Sequence, residues 1–166
     1  MKHNLTIIFL MIVCIVQAQN LQTEFTDGVA FPIGIKFVIK LAPIDSVNYN
    51  YSVLDFEPFR KTLQHSEYAE LFEESGEENT IVFYFCLGTH GNTEQEKKAN
   101  MHALLLMKSY SKEVLTYTSE IQVKEQGEFE WTSNIGIFQD KIMYEMWPHM
   151  IYLIRLKEFK KIPHGN

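Results

Sequence analysis

The spacing with most chemistry in this sequence is Cys86-x-x-x-His90. Cys86 closes an apolar stretch, His90 follows in the loop Gly88-Thr89-His90-Gly91-Asn92, and His102 stands where a returning strand would come alongside. A thiolate and two imidazoles are zinc ligands, so Cys86, His90 and His102 form a candidate metal set. The same pair could act as a Cys-His nucleophile, with Asn92 or Glu94 orienting the imidazole. Against both, the spacing is not one of the tight zinc pairs, no second pair accompanies it, and Cys86 alternates with Phe83 and Phe85 in an apolar run. A reactive thiolate needs an electropositive, partly open setting, so the pattern favours a buried structural cysteine and a solvent-facing histidine.

Paired carboxylates give a second chemistry. Glu128 and Glu130 share one face of a strand and stand ~7 Å apart by strand rise, within the range of glycosidase pairs. They also lie opposite Phe129 and Trp131, which is the pattern of a solvated edge, and that reading is preferred. Among the aromatics, Trp131, Trp147 and Tyr152 could stack on sugar rings or grip a protein, although aromatics also favour strands for packing alone. The sequence has no phosphate-binding glycine loop, nucleophile elbow, C-x-x-C pair or HExxH motif.

A third group has partner logic without catalysis. Glu67, Glu70, Glu73, Glu74, Glu77 and Glu78 fall on or just after an expected helix, and their repulsion would be relieved by a basic protein surface. A solubilising surface is the plainer alternative. Partner-binding candidates are therefore Glu67, Glu70, Glu73 and Glu74, together with Trp131 and Trp147.

The elements that must position these residues follow from periodicity. From Phe31 to Leu41 the odd positions are apolar, which predicts a half-buried strand; Tyr49, Tyr51 and Val53 continue it as a hairpin. From Asp55 to Ser75 the apolar residues Phe56, Phe59, Leu63, Tyr68, Leu71 and Phe72 recur at three and four, which predicts a helix with Pro58 in its first turn. Thr80–Leu87 is apolar on both faces and predicts a central strand. Gly88–Asn100 reads as polar and flexible. Met101–Tyr110 is open between a helix, for which Thr93 and Glu96 offer a capping box, and a strand returning along Thr80–Leu87; the strand is preferred.

Val114–Lys124 and Phe129–Trp131 predict a hairpin, and Ile135–Phe138, Ile142–Trp147 and Met150–Leu156 predict further strands. The residues from Lys157 on are basic and polar and read as fraying. The expected fold is α+β, a predominantly antiparallel β meander of about seven or eight strands with one inserted helix; a curved sheet or small β-barrel is the alternative.

The N-terminus predicts the address. Lys2 and His3 precede an apolar run from Leu5 to Val16, and Val16-Gln17-Ala18 suits signal-peptidase cleavage after Ala18. The run is too short to serve as a membrane-spanning anchor, and no later stretch reads as a transmembrane segment. Cys14 lacks the small residues before it that a lipidation signal needs. Expected segments are a signal peptide over 1–18, a flexible segment over 19–30, one β-rich domain over 31–160 and a frayed tail over 161–166. Cleavage would remove eighteen of the 166 residues, leaving 148, enough for one domain. It would also remove Lys2 but no acid, so 14 of the 15 basic residues would face 21 acids, a net charge of −7. That balance disfavours nucleic acid and anionic membranes.

Cys86 would then stand alone in an oxidising compartment, which again favours burial. These features predict an exported, small, non-enzymatic binding protein of the periplasm, cell envelope or secreted space, of inhibitor or immunity type, with a basic protein as partner and no cofactor. The alternatives are a zinc- or thiol-dependent hydrolase using Cys86 and His90, and a sugar- or lipid-binding envelope protein.

Overall fold

The computed structural model describes residues 28–163, so the expected signal peptide and the first residues after it lie outside the described residues. The alternation around Phe31–Leu41 forms two strands, β1 (Ala30–Pro32) and β2 (Ile35–Pro43). Gly34 separates them at φ +91°, a conformation that costs a side chain-bearing residue strain but glycine little. Its N–H donates to the Phe85 carbonyl at 2.7 Å and its carbonyl accepts from Phe59 N–H at 2.7 Å. The chain thereby changes partners: β1 pairs with the last strand, whereas β2 pairs with β3 (Asn48–Pro58) and β5 (Thr80–Gly88).

The predicted helix over Asp55–Ser75 is not formed. Its first residues extend β3, with Phe56 opposite Phe37 and Glu57 opposite Lys36, where the side chains form a 2.8 Å ion pair. Pro58 biases Glu57 toward extended backbone, and β2 offers a full ladder that an isolated helix would forgo. The remaining apolar residues form β4 (Thr62–Leu63) and two 3₁₀ turns, His65–Glu67 and Ala69–Leu71. Their three- and four-residue spacing is real but serves a strap: Phe59, Leu63, Tyr68, Leu71 and Phe72 pack on Tyr84, Cys86, Leu104 and Leu106. Tyr84 is held between Phe59 and Phe72 in edge contacts at 4.8 and 5.2 Å.

β5 is central, as its composition predicts, between β2 and β6 (His102–Ser109). Ile81, Phe83 and Phe85 face the interior while Tyr84 and Cys86 lie under the strap. The ambiguous Met101–Tyr110 region forms a strand, the preferred alternative, and the helix falls before it. The Thr93–Glu96 capping box starts a short helix, α1 (Glu94–Ala99), inside the stretch read as flexible, and the strand β6 begins three residues after that helix ends.

β7 (Leu115–Gln122) pairs with β8 (Glu130–Thr132), and β9 (Ile142–Trp147) pairs with β6. β10 (Leu153–Lys161) extends past the predicted fraying point, because Lys157, Lys160 and Lys161 lie opposite Thr118, Thr116 and Leu115 of β7. Their charges face outward, where Lys157 reaches Glu120 at 2.6 Å and Lys161 reaches Glu113 at 2.7 Å.

The result is mostly β rather than α+β: a ten-stranded sheet in which eight strands run in the order β8-β7-β10-β3-β2-β5-β6-β9, β1 adds antiparallel to β10 and β4 parallel to β5, the whole curled into a half-barrel. The concave side holds the main core, with Phe31, Phe37 and Phe83 stacked at 3.8 and 4.8 Å between successive ring centroids. Burying each such ring contributes roughly 1.5–3 kcal/mol.

The two ends of the sheet approach each other. Trp147 Nε1 on β9 donates to Thr132 Oγ1 on β8 at 3.1 Å, and Ile137 exchanges both backbone hydrogen bonds with Leu115 of β7 at 2.8 and 2.9 Å. Gln139, two residues on, bridges to Ser109 of β6. Among the described residues, no helix is long and apolar enough to cross a membrane.

Candidate functional site

Cys86 and His102 come to the same, outer face of the sheet but not to one open site. In the β5–β6 ladder Cys86 lies opposite Leu104 and Gly88 lies opposite His102, so His102 sits one row nearer the end of the sheet. Cys86 is 1% exposed among Leu63, Tyr68 and Leu106, and burial pushes its thiol up to about 12. A group that stays protonated to that pH offers no thiolate for nucleophilic attack near neutrality. Among the described residues, no three His, Cys, Asp or Glu side chains are placed to hold a metal ion together.

His90 and His102 do meet, with ring centroids 5.9 Å apart. His102 is half-buried, and its Nδ1 lies 2.9 Å from the Asn100 carbonyl. A carbonyl can only accept, so Nδ1 carries a proton, and the tautomer with that single proton has its lone pair on Nε2. Nε2 is buried without a hydrogen-bond partner. The two rings, with Met101 and Met146, line a cleft of about 390 Å³ at the end of the half-barrel.

The acidic residues stand on the strap and the turn after it, not on a helix. Glu67 pairs with Lys61 at 2.8 Å, Glu78 with Lys112 at 2.9 Å, and Glu77 with Lys40, so three of the six have lysine partners. Glu70, Glu73 and Glu74 are exposed. The backbone beneath them is pinned from the sheet: Tyr84 Oη donates to the Leu71 carbonyl at 2.8 Å, and Tyr110 Oη to the Glu73 carbonyl at 2.8 Å. Lys108 Nζ, on a residue only 8% exposed, reaches the Glu73 and Glu74 carbonyls at 2.5 and 3.3 Å.

The two tryptophans do not share a surface. Trp131, opposite Glu120 on β8, faces outward and is 71% exposed, whereas Trp147 faces the core and is 7% exposed. Tyr152 is exposed. Glu128 and Glu130 are both exposed, but not through the expected alternation, because on the edge strand Trp131 is the outward residue and Glu130 lies opposite Ile121.

Sequence reasoning passed over Glu145. It shares β9 with Met143 and Trp147 at every second position, so alternation alone places it on the inward face. Its Oε1 accepts from Tyr117 Oη at 2.5 Å, while Oε2 is buried without a hydrogen-bond partner. Burial pushes the carboxyl up to about 7, against the lowering effects of the Tyr117 hydroxyl and the Ile135 backbone amide. Tyr117 is itself raised, first by burial and then by the adjacent Glu145. The pair joins β9, one edge of the sheet, to β7 beside the other edge. The methionines near His102 were also missed, because they belong to separate elements and show no common period.

No protein family, curated protein or solved structure matches the chain.

Proposed function

We propose that this chain is a small, exported, non-enzymatic binding protein of the cell envelope or secreted space, of inhibitor or immunity type, which takes a basic protein partner on the strap. The observation that carries this reading is the pinned backbone beneath Glu70, Glu73 and Glu74. An irregular segment whose backbone carbonyls are held by Tyr84, Lys108 and Tyr110 presents these glutamates from a fixed main chain, so a partner meets them at a lower ordering cost for the backbone. Complementary charge steers such an encounter and selects the partner. Glu67, Glu77 and Glu78, already paired with lysines, contribute less net field than their number suggests.

The thiol-hydrolase alternative needs a Cys86 nucleophile, and a covered thiol raised to about 12 does not supply one. A carbohydrate platform built jointly from Trp131 and Trp147 would need both rings on one side of the sheet, and they point to opposite sides.

The test is retention of a partner from envelope extract on immobilised protein, with Glu70, Glu73 and Glu74 all changed to lysine in a second preparation. The expected result is a basic protein retained by the native chain, released as salt rises toward about 0.5 M, where screening acts within a few ångströms, and lost in the triple variant. Retention indifferent to salt and to charge reversal, or no retained basic protein at all, refutes the proposal.

A further inference from the structure

Three of the four described histidines and three of the five described methionines meet at one end of the half-barrel. His90, His102, Met101 and Met146 line the larger cleft; a neighbouring one of about 110 Å³ shares Met101 and His102 and adds His149 and Met150. The register explains the gathering. Met146 of β9 lies opposite Leu104 on the outer face, one row in from His102, and Met101 is the residue immediately before β6. These methionines are not core fillers. Met101, Met146 and Met150 are 42%, 53% and 46% exposed, whereas Met107 inside the half-barrel is fully buried.

The donors are prepared for a ligand. The Nδ1–H of His102 is committed to the Asn100 carbonyl and its Nε2 lone pair is left without a partner, which is how ligating imidazoles are commonly oriented by their surroundings. Gly88 lets the ring sit where it does: a β-carbon at that position would come within 2.4 Å of Nε2. Two imidazoles bound to one ion at ~2.0 Å would hold their centroids roughly 5 Å apart at a tetrahedral angle and roughly 6.4 Å apart when linear. The observed 5.9 Å falls between these limits.

The chemistry of the set selects the ion. Imidazole and thioether are neutral, no carboxylate lines either cleft, and thioether sulfur is a soft donor that favours copper(I) over zinc, magnesium or calcium. Cys86, the one thiol among the described residues, lies one row inward under the strap. We propose that this end of the protein is a binding site for one copper(I) ion, held by His90, His102 and the thioethers of Met101 and Met146, with His149 and Met150 at its margin. The ion binds and leaves as copper(I), with no electron transferred. The site goes beyond the partner-binding reading and is independent of the acidic strap.

The experiment labels the methionine methyl groups of the full chain with ¹³C and adds silver(I), a redox-silent stand-in, and then copper(I) under anaerobic conditions. The expected result is that the Met101 and Met146 methyl signals shift and saturate near one equivalent, while those of Met107 and Met143, in and against the core, stay in place. Against a copper(I) chelator, a Met101→Leu/Met146→Leu variant should lose at least tenfold in affinity and His90→Ala a similar factor; Cys86→Ala should retain it. Leucine preserves the apolar bulk at two exposed positions, so a folded double variant is expected, and its unchanged Met107 and Met143 signals would verify that. Absence of shifts at Met101 and Met146, affinity unchanged by the double variant, or loss of binding in Cys86→Ala would each overturn the proposal.

Discussion

Replacing Glu145 by glutamine should make this protein's stability less dependent on pH while leaving its fold unchanged. In the folded chain the carboxyl keeps its proton until about 7, against 4.5 for an unperturbed glutamate, because burial among apolar side chains penalises the anion. Between those two values the unfolded chain binds fewer protons than the folded one, so stability falls as pH rises. The favourable contribution is complete below 4.5, is lost progressively up to about 7, and is absent above it. A difference of about 2.5 pH units corresponds to about 3 kcal/mol.

Glutamine keeps a carbonyl oxygen for the Tyr117 hydroxyl but cannot ionise. Native and Glu145→Gln chains should therefore unfold with similar urea midpoints near pH 4, and the variant should be more stable by about 3 kcal/mol at pH 8. The assay is urea unfolding followed by tryptophan fluorescence at half-unit steps from pH 4 to 8. Parallel pH profiles for the two proteins would show that Glu145 is ionised in the folded chain like an exposed glutamate, and would refute the reasoning from burial.

Other consequences follow from the same packing. Tyr117→Phe removes the hydroxyl that partly offsets the burial of Glu145, so it should cost about 1–3 kcal/mol and raise the carboxyl further, seen as a steeper loss of stability toward pH 8. In a chain carrying Cys14→Ser, Cys86 should resist iodoacetamide at pH 8 and react fully in denaturant; its rise from 9 to about 12 alone lowers the thiolate fraction roughly a thousandfold, and rapid native labelling would contradict the burial. Lys108→Met should free the Glu73 and Glu74 carbonyls and speed hydrogen exchange over residues 70–78 while leaving β5 protected; unchanged exchange would show that the strap does not depend on that lysine. Production in a secreting host should yield a chain whose first residue is Gln19, and N-terminal sequencing that begins at Met1 would remove the export reading.

Period-two patterning made the strands legible because a half-buried sheet separates its faces residue by residue. Ile35, Phe37, Ile39 and Leu41 point inward as their alternation requires, and Thr80–Leu87 is covered on both sides as its unbroken apolar character requires. The Thr93–Glu96 capping box also worked locally, since its two hydrogen bonds need only the residues it spans. Cys86 was readable as buried from its neighbours in the strand.

Tertiary structure decided what depends on partners distant in sequence. Phe56–Phe72 carries a spacing that suits a helix, yet β2 takes its first part as a strand and the outer face of β5 and β6 draws the rest down as a strap. Glu145 acquires its raised carboxyl because curling of the sheet brings β9 against Tyr117 of β7, a meeting that no local pattern encodes. His90, His102, Met101 and Met146 gather at one end because the β5–β6 and β6–β9 registers align their ends there. Periodicity fixes which face a residue presents; only the closing of the sheet fixes which other faces it meets.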